Sequence, residues 1–424
     1  MASLKQQLGA AAASLAALAA PAVQGQEREQ EQSFAAPFGE CRAGYWSSTR
    51  DLDDRAGVAK GTCFVNWKHA FNEQWRVNLG SRLGVRDAGD TRGARNRLRE
   101  AYVEADAGPL RLRLGRQVVA WGRADRINPT DNLSPRDYTT LVPEDEEQRI
   151  GIDALAANYR LGDSLELAAV LVPEFEPHRT PRGALPGNRA VAPAPDNGEW
   201  ALKLEKSGGA WDGSVSYYDG HDRFVRYGAA FPRPATLVFS GAHERMRTLG
   251  ADFATTAHGW GVRGEFAAGR FSPDCAACAA PAGPRRSVRR LVLGVDRDIG
   301  DGANINLQAF AIRRSGYSET AGLPAQLRPA GLAINRLNSE FGAHEHGLSL
   351  RVYDRYWNDR LKAELGAILD LSGHSGLVRP RVSYSVSDAV KLTAGVDYFH
   401  GDTQSYFGAR ARNRLGFFEL AFVF

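Results

Sequence analysis

The chain has 424 residues, 53 of them Lys or Arg and 49 Asp or Glu, for a net charge of +4. That near-balance argues against a nucleic-acid binder with one basic face and against an acidic disordered chain. An apolar content of 43%, with no stretch of 18 apolar residues beyond the N-terminus, excludes a helical membrane protein, and four cysteines are too few for a disulfide-built scaffold.

Residues 1–25 read as a secretory signal. Lys5 supplies the positive start, Leu8 to Val23 a short Ala/Leu-rich core, and Ala20, Ala22 and Gly25 the small residues of a cleavage region. Residues 26–40 are rich in Gln and Glu and predict a flexible periplasmic leader. The rest, 41–424, reads as one domain.

From Cys41 onward the dominant period is two. Trp75, Val77, Leu79, Leu83 and Val85 alternate with Arg76, Asn78, Arg82 and Arg86, and Leu110, Leu112 and Leu114 with Arg111 and Arg113. Trp200, Leu202 and Leu204 alternate with Glu199, Lys203 and Glu205. Leu361, Leu365 and Leu369 alternate with Lys362, Glu364 and Asp370, and Val390, Leu392 and Val396 with Lys391 and Asp397. Each segment runs about 9–11 residues, the length of a tilted strand crossing a bilayer, whereas strands of soluble sandwiches are about half that.

Short connections are predicted at 72–74, 106–109, 160–163, 207–210, 256–259, 299–303, 358–359 and 387–389. They interleave with a second, mostly longer set at 51–60, 87–96, 122–149, 173–197, 220–244, 272–286, 315–345, 373–376 and 401–411. Eight and nine connections make 18 strands. The pattern predicts an all-β chain folded as a transmembrane antiparallel up-and-down β-barrel of about 18 strands, with short periplasmic turns, longer external loops and both termini in the periplasm. Trp75, Tyr159, Trp211, Trp260 and Trp357 all stand beside predicted short turns, where an aromatic girdle belongs.

Cys41 and Cys63 bear on the strand count. In a hairpin of 41–50 with 61–71 they would sit at opposite ends and could not bond. A bond between them would make this region a plug or cap and leave 16 strands; 18 is the preferred count. Cys275 and Cys278, in a predicted external loop with Pro273 and Pro281, are disulfide candidates.

A charge at mid-depth on the lipid face costs about 2–4 kcal/mol, so the charged register must line the lumen. A barrel of this size encloses water, and its architecture implies passage of something polar. Inward acids such as Glu205, Asp252, Glu265, Glu364 and Asp397 nearly match the inward bases, so overall selectivity should be mild. Arg76, Arg82, Arg86, Arg111 and Arg113 nevertheless come from strands two apart and, with Arg351, Arg379 and Arg381, are the candidate solute contacts. Grouped arginines offer forked donors to carboxylates, phosphates or sulfates. Equally, Glu100 and Glu104 on the intervening strand can simply neutralise them.

Two residues break the pattern. Arg116 falls in the outward register; either Gly115 opens a bulge that turns it inward, or it snorkels to the outer headgroups. Pro380 sits inside a strand that should not tolerate it without a bulge. The segment 121–149 is too long and polar for a hairpin turn, and its Asn-Pro, Ser-Pro and Val-Pro steps favour rigid structure. It either folds into the pore, with Trp121, Arg123, Asp125, Arg126, Asp131 and Arg136 as constriction candidates, or lies over the external rim.

The stretch from Leu112 to Gly122 (LRLGRQVVAWG), followed by Asp125 and Asn128-Pro129-Thr130-Asp131, resembles the Gly-Arg-Gln…Trp-Gly segment of porin-like outer-membrane proteins. It is also loosely similar to alginate-export and exopolysaccharide-secretion porins. The motif covers about 20 residues. The end of the chain, with Phe418, Leu420, Phe422 and terminal Phe424 alternating with Glu419, resembles the last strand of Gram-negative outer-membrane barrels, which implies reading by the barrel-assembly machinery. The resemblance implies passive passage of a small polar solute or polysaccharide, an outer-membrane location in contact with lipid, and a periplasmic partner if the direction is export.

No cofactor, nucleic acid or catalysis is expected. His344-Glu345-His346 could bind a metal but reads better as a solvated loop, and no HExxH or GxSxG occurs. The rival class is a barrel hydrolase, for which Ser372, His374 and Ser375 form the one local cluster worth testing. A third reading is a structural barrel with a closed lumen.

Overall fold

In the computed structural model the alternating segments become one closed sheet. The structure describes residues 36–48, 57–84, 95–180, 189–233, 236–273, 285–317 and 319–424. The predicted signal, residues 26–35 of the leader, Arg86, Cys275 and Cys278 lie outside the described residues.

Eighteen antiparallel strands form the wall. The first seven are β1 (Phe38–Ser48), β2 (Gly57–Ala70), β3 (Trp75–Gly84), β4 (Arg95–Ala107), β5 (Leu110–Gln117), β6 (Ile152–Arg160) and β7 (Leu165–Val172). A short strand β8 (Arg189–Val191) stands apart, and the wall resumes with β9 (Glu199–Lys206) and β10 (Trp211–His221). β11 (Arg226–Arg233) and β12 (Thr236–Ala242) join β8 in a separate three-stranded sheet. The wall then continues with β13 (Arg245–Ala257), β14 (Trp260–Ser272), β15 (Arg286–Ile299) and β16 (Ala303–Ser315). After a helix, α1 (Arg328–Leu337), come β17 (His344–Tyr356), β18 (Leu361–Asp370), β19 (Ser375–Ser385), β20 (Val390–His400) and β21 (Leu415–Val423). The wall strands span 8 to 14 residues, the longest exceeding the expected 9–11.

The ring closes where β1 pairs with β21, in register from Glu40 opposite Val423 to Ser48 opposite Leu415. Phe424 and Gly39 add reciprocal backbone hydrogen bonds of 3.0 and 2.8 Å. Closure is what an extended chain needs in lipid, because every backbone polar group must be paired within the protein.

The two registers divide as the sequence pattern requires. Leu79, Leu114, Leu155, Leu171, Leu202, Leu293, Leu365 and Phe418 are exposed on the outside, Leu114 at 65%. Glu104, Glu199, Asp252, Glu265, Gln308, Glu364, Asp397 and Glu419 are buried on the inside. All eight predicted tight turns connect neighbouring wall strands, and Trp75, Tyr159, Trp211, Trp260 and Trp357 are exposed beside them. The protein is thus an 18-stranded outer-membrane barrel.

Some local expectations are corrected and one open alternative is decided. Cys41 and Cys63 do bond, with Cα atoms 4.0 Å apart, and the count is still 18. The reason is register: β1 begins at Phe38 and β2 at Gly57, so the connecting loop is shorter than assumed and Cys41 lies directly opposite Cys63. No plug forms, and the 16-strand alternative fails. Arg116 stays in the outward register, opposite Ala101 and Asp153, with no bulge at Gly115. It is held at the outer end of β5 by the Leu98 carbonyl (3.0 Å), Asp153 (3.2 Å) and Glu176 (2.7 Å). Pro380 keeps the register on both sides; between Val378–Tyr398 and Arg381–Gly395 the ladder to β20 is merely interrupted.

A bulge does occur on β4, where Gly80 faces Glu100 but Ser81 faces Leu98. The extra residue, Arg99, brings two consecutive side chains towards the lumen side.

Candidate functional site

β5 ends at Gln117 and the chain leaves the wall for the interior, returning only at Ile152. The proline steps at 129, 135 and 143 prevent any strand from continuing. The contacts of segment 118–151 with inward-facing residues of the wall put it in the lumen and not over the external rim.

One side of it is apolar. Trp121 and Leu133, with Val119 packed against them, join a buried cluster with Ile152, Ala154, Val170, Val172, Ala201, Met246 and Val288 from the inner wall. These are mostly small or β-branched inward residues, so the wall from β6 to β15 offers a shallow apolar bed in an otherwise ionic lumen.

The other contacts are polar and reach around the barrel. Glu265 on β14, 1% exposed, accepts from the Thr130 N–H (2.7 Å), the Thr130 hydroxyl (2.8 Å) and the Arg123 and Ala124 N–H groups (3.1 Å each). Gly122 makes this approach possible: its φ is +100°, and an added Cβ would lie 2.7 Å from the Glu265 oxygens. Arg123 donates to Asp252 on β13 and Glu205 on β9, both at 2.6 Å. The Gln308 amide on β16, turned to face the Asp125 peptide, donates to its carbonyl (2.9 Å) and accepts from its N–H (2.8 Å).

On the far wall, Glu364 of β18 collects Arg126 (3.1 Å), Arg351 (3.1 Å) and Lys362 (2.8 Å). Asp125 lies 3.7 Å from Arg351. Asp145 pairs with Arg379 (2.8 Å), Glu144 with Arg381 (3.3 Å), and Glu147 with Arg42 on β1 (2.7 Å). Burial opposes ionisation of Asp145, but Arg379, Arg126 and Arg381 together hold its carboxyl below the usual range.

Within the segment, Asp131 holds both Arg136 (3.4 Å) and Arg149. Burial pushes the Asp131 carboxyl up, while the two guanidinium groups pull the other way. His178, in the connection after β7, accepts the Arg136 N–H at Nδ1 (2.8 Å), and burial together with Arg223 and Arg136 lowers its pKa to about 3.

All six predicted constriction residues thus lie on this inward segment. Of the predicted solute contacts, Arg351, Arg379 and Arg381 pair with it or with its partners, and Arg82 donates to the Thr140 hydroxyl at 3.0 Å. Arg76, Arg111 and Arg113 form a separate group near the short turns, neutralised by Glu104 (2.5 Å from Arg113) and Asp106 (2.9 Å from Arg111). Glu100 turns elsewhere, accepting from the Asn78 amide (3.4 Å) and the Val118 N–H (3.3 Å). Sequence reasoning put Asp252, Glu265 and Glu364 inside without a role. Their partners on the inward segment are more than 100 residues away, and only the unusual polarity of 121–149 hinted at them.

Neither of the two clusters singled out from the sequence is assembled among the described residues. The Ser372 and Ser375 hydroxyls donate to Asp370 (2.5 and 3.3 Å), and no hydrogen bond joins either to His374. Strand alternation splits His344-Glu345-His346: the histidines are exposed while Glu345 pairs with Arg314 (2.8 Å). Among the described residues no group of three or more His, Cys, Asp or Glu could hold a metal ion.

A closed wall with an ion-paired internal segment defines a barrel of porin-like architecture. The chain belongs to the DUF1302 family, described as proteins of unknown function, whose model matches residues 61–274. No curated protein matches the chain. In fold it is similar to Acinetobacter baumannii OccAB2 (11% identity, TM-score 0.57, covering 93% of this chain and 99% of that one). Two Pseudomonas aeruginosa structures are also similar: OccK2 (OpdF) in complex with glucuronate (9%, 0.55, 91% and 97%) and OpdK with vanillate (10%, 0.54, 92% and 98%). At these identities the likeness concerns the fold.

Proposed function

We propose that this protein is a passive outer-membrane porin that lets small polar solutes, carboxylate-bearing or polyhydroxylated ones among them, past a fixed charged constriction. The observation that carries this reading is the segment 118–151, seated across the lumen by ion pairs to β1, β9, β13, β18 and β19. A purely structural barrel has no need to keep its interior ionic around a folded-in loop.

The solute class rests on two supports. Arg351, 5.7 Å from Tyr353, and Arg113, 5.5 Å from Tyr102, each give one nitrogen to a wall carboxylate (Glu364 and Glu104) and hold their remaining N–H groups beside an aromatic face. Two barrels of the same fold carry vanillate and glucuronate, both carboxylates. A polysaccharide conduit, as in export porins, needs a wide clear lumen, and the inward segment favours small solutes instead.

Planar-bilayer recording with the purified full chain tests this. Open-channel current with a modest preference for anions in salt gradients, and block by millimolar glucuronate, are expected. A barrel that never conducts, or one selective for cations, refutes the reading.

A further inference from the structure

The outward register should be apolar until the wall reaches the headgroups. At the outer ends of β13 to β16 it becomes basic. Arg247 on β13 stands directly opposite Arg270 on β14, and Arg289 on β15 directly opposite Arg313 on β16. All four are exposed, and the same register continues inwards from them through exposed Leu249, Phe266, Leu291 and Leu307. They therefore face out of the barrel.

Their depth is fixed by the strands. Arg270 lies ten residues further along β14 than Trp260 of the periplasmic girdle. At a rise of about 3.3 Å per residue and a tilt near 40°, that is about 25 Å of membrane height, the thickness of the apolar band. The arginines thus sit where the outer leaflet's headgroups begin.

Three of the four charges are not answered by the protein. Like charges directly opposite each other destabilise a sheet. Arg247 reaches Asp219 at 3.1 Å, but among the described residues Arg270, Arg289 and Arg313 make no hydrogen bond or ion pair. This contrasts with the lumen, where the arginines described above have carboxylate or hydroxyl partners. Beside Arg270 in the same row are the paired hydroxyls of Ser287 and Ser315, 2.9 Å apart.

We propose that this stripe binds the phosphate groups of a phosphorylated lipid of the outer leaflet. Guanidinium groups pair with phosphate oxygens in forked, charge-assisted geometry, and the two serine hydroxyls add donors at the same level. An acyl-chained ligand suits the position: its tails lie along the apolar register immediately below, while a soluble anion gains nothing from that surface.

Native mass spectrometry of the detergent-solubilised full chain tests the proposal, with diphosphorylated lipid A and its dephosphorylated form as probes. The wild type should retain the phosphorylated lipid about tenfold better, and the R270Q/R289Q/R313Q variant should lose that preference. Inorganic phosphate at millimolar concentration should not displace the lipid. Equal retention of both lipids by the wild type overturns the proposal whether or not the variant folds. So does an unchanged preference in a variant that still shows a folded barrel's gel mobility, and displacement by inorganic phosphate would mark a free-anion site instead.

Discussion

Glu265 is the residue whose loss should change the pore most. Its carboxylate accepts four hydrogen bonds from the inward segment, three of them from backbone N–H groups that have this carboxylate as their anchor on β14. Hydrogen bonds to a charged group contribute about 1.5–3 kcal/mol each, but water entering the space left by Glu265→Ala would restore part of that. Allowing about 1 kcal/mol lost per bond gives roughly 4 kcal/mol, close to a thousandfold rise in the population with this end of the segment detached. Wild-type and variant barrels with matching heat-modifiable mobility would be compared by single-channel recording and by liposome swelling with a graded series of sugars. Larger or noisier unitary currents and a higher solute cut-off are expected. Glu265→Gln, which keeps one acceptor oxygen but turns an NH₂ towards the Arg123 and Ala124 N–H groups, should fall between. Identical currents and cut-off in all three proteins would refute the latch.

Three further perturbations follow from the same contacts. Glu364→Gln leaves Arg126, Arg351 and Lys362 around a neutral amide, so reversal potentials should move towards anion selectivity; movement towards cations would contradict the placement. His178 titrates at about 3 when folded against about 6.5 unfolded, so the unfolded chain binds the extra proton between those values. Stability of its contact with Arg136 is therefore full above pH 6.5 and falls by up to about 1.4 kcal/mol per unit as pH drops towards 3. Hydrogen exchange over 131–138 should lose protection at pH 4.5 in the wild type and change less with pH in His178→Gln; equal pH dependence would rule the histidine out. Removing the Cys41–Cys63 bond by paired serine substitution should cost about 3 kcal/mol for a loop of this length. The gel-shift transition should then come at a lower temperature with the barrel still formed, because the β1–β2 register extends well to either side of the pair.

The wall was legible because its physics is local. Period-two alternation names the lipid face, strand length matches the bilayer and turn chemistry marks the ends, and a slip of one residue would put charges into lipid. What failed was register at the first hairpin. Only the loop's ends distinguish Cys41 facing Cys63 from Cys41 remote from it, and strand ends are the least constrained feature of an alternating pattern. Arg116 stayed open for a related reason: Gly115 permits a bulge at that point, and only the ladder to Ala101 and Asp153 shows that the outward alternative is the one used. The real bulge is at Arg99, which carries no glycine signal.

The inward segment shows a second kind of limit. Its apolar anchors, Trp121 and Leu133, meet small residues that the sequence places inside the barrel without saying what covers them. Its ionic anchors are specific only as pairs. Arg123 alone is one arginine among many; Arg123 between Asp252 and Glu205 is a fixed bridge.

The fate of each arginine is set less by its chemistry than by which side of the wall its register assigns it. Inside, a guanidinium left alone in a narrow charged lumen would meet several others at short range, and the chain supplies carboxylates on neighbouring strands or on the inward segment. Arg379 between Asp145 and Asp397 is one such case, and Arg113 on Glu104 is another. Outside, at the outer ends of β14 to β16, Arg270, Arg289 and Arg313 have no such partner among the described residues. If the inner pairs serve to hold a segment at fixed geometry, they should be little affected by salt, since buried charges are poorly screened. The outer stripe faces headgroups and solvent, so its binding should weaken steeply between low and high ionic strength. A salt titration that reads channel current and lipid retention on the same preparation separates the two roles. Parallel salt dependence of both would mean that the inner pairs are as solvated as the outer arginines, and the segment could not then act as a fixed constriction.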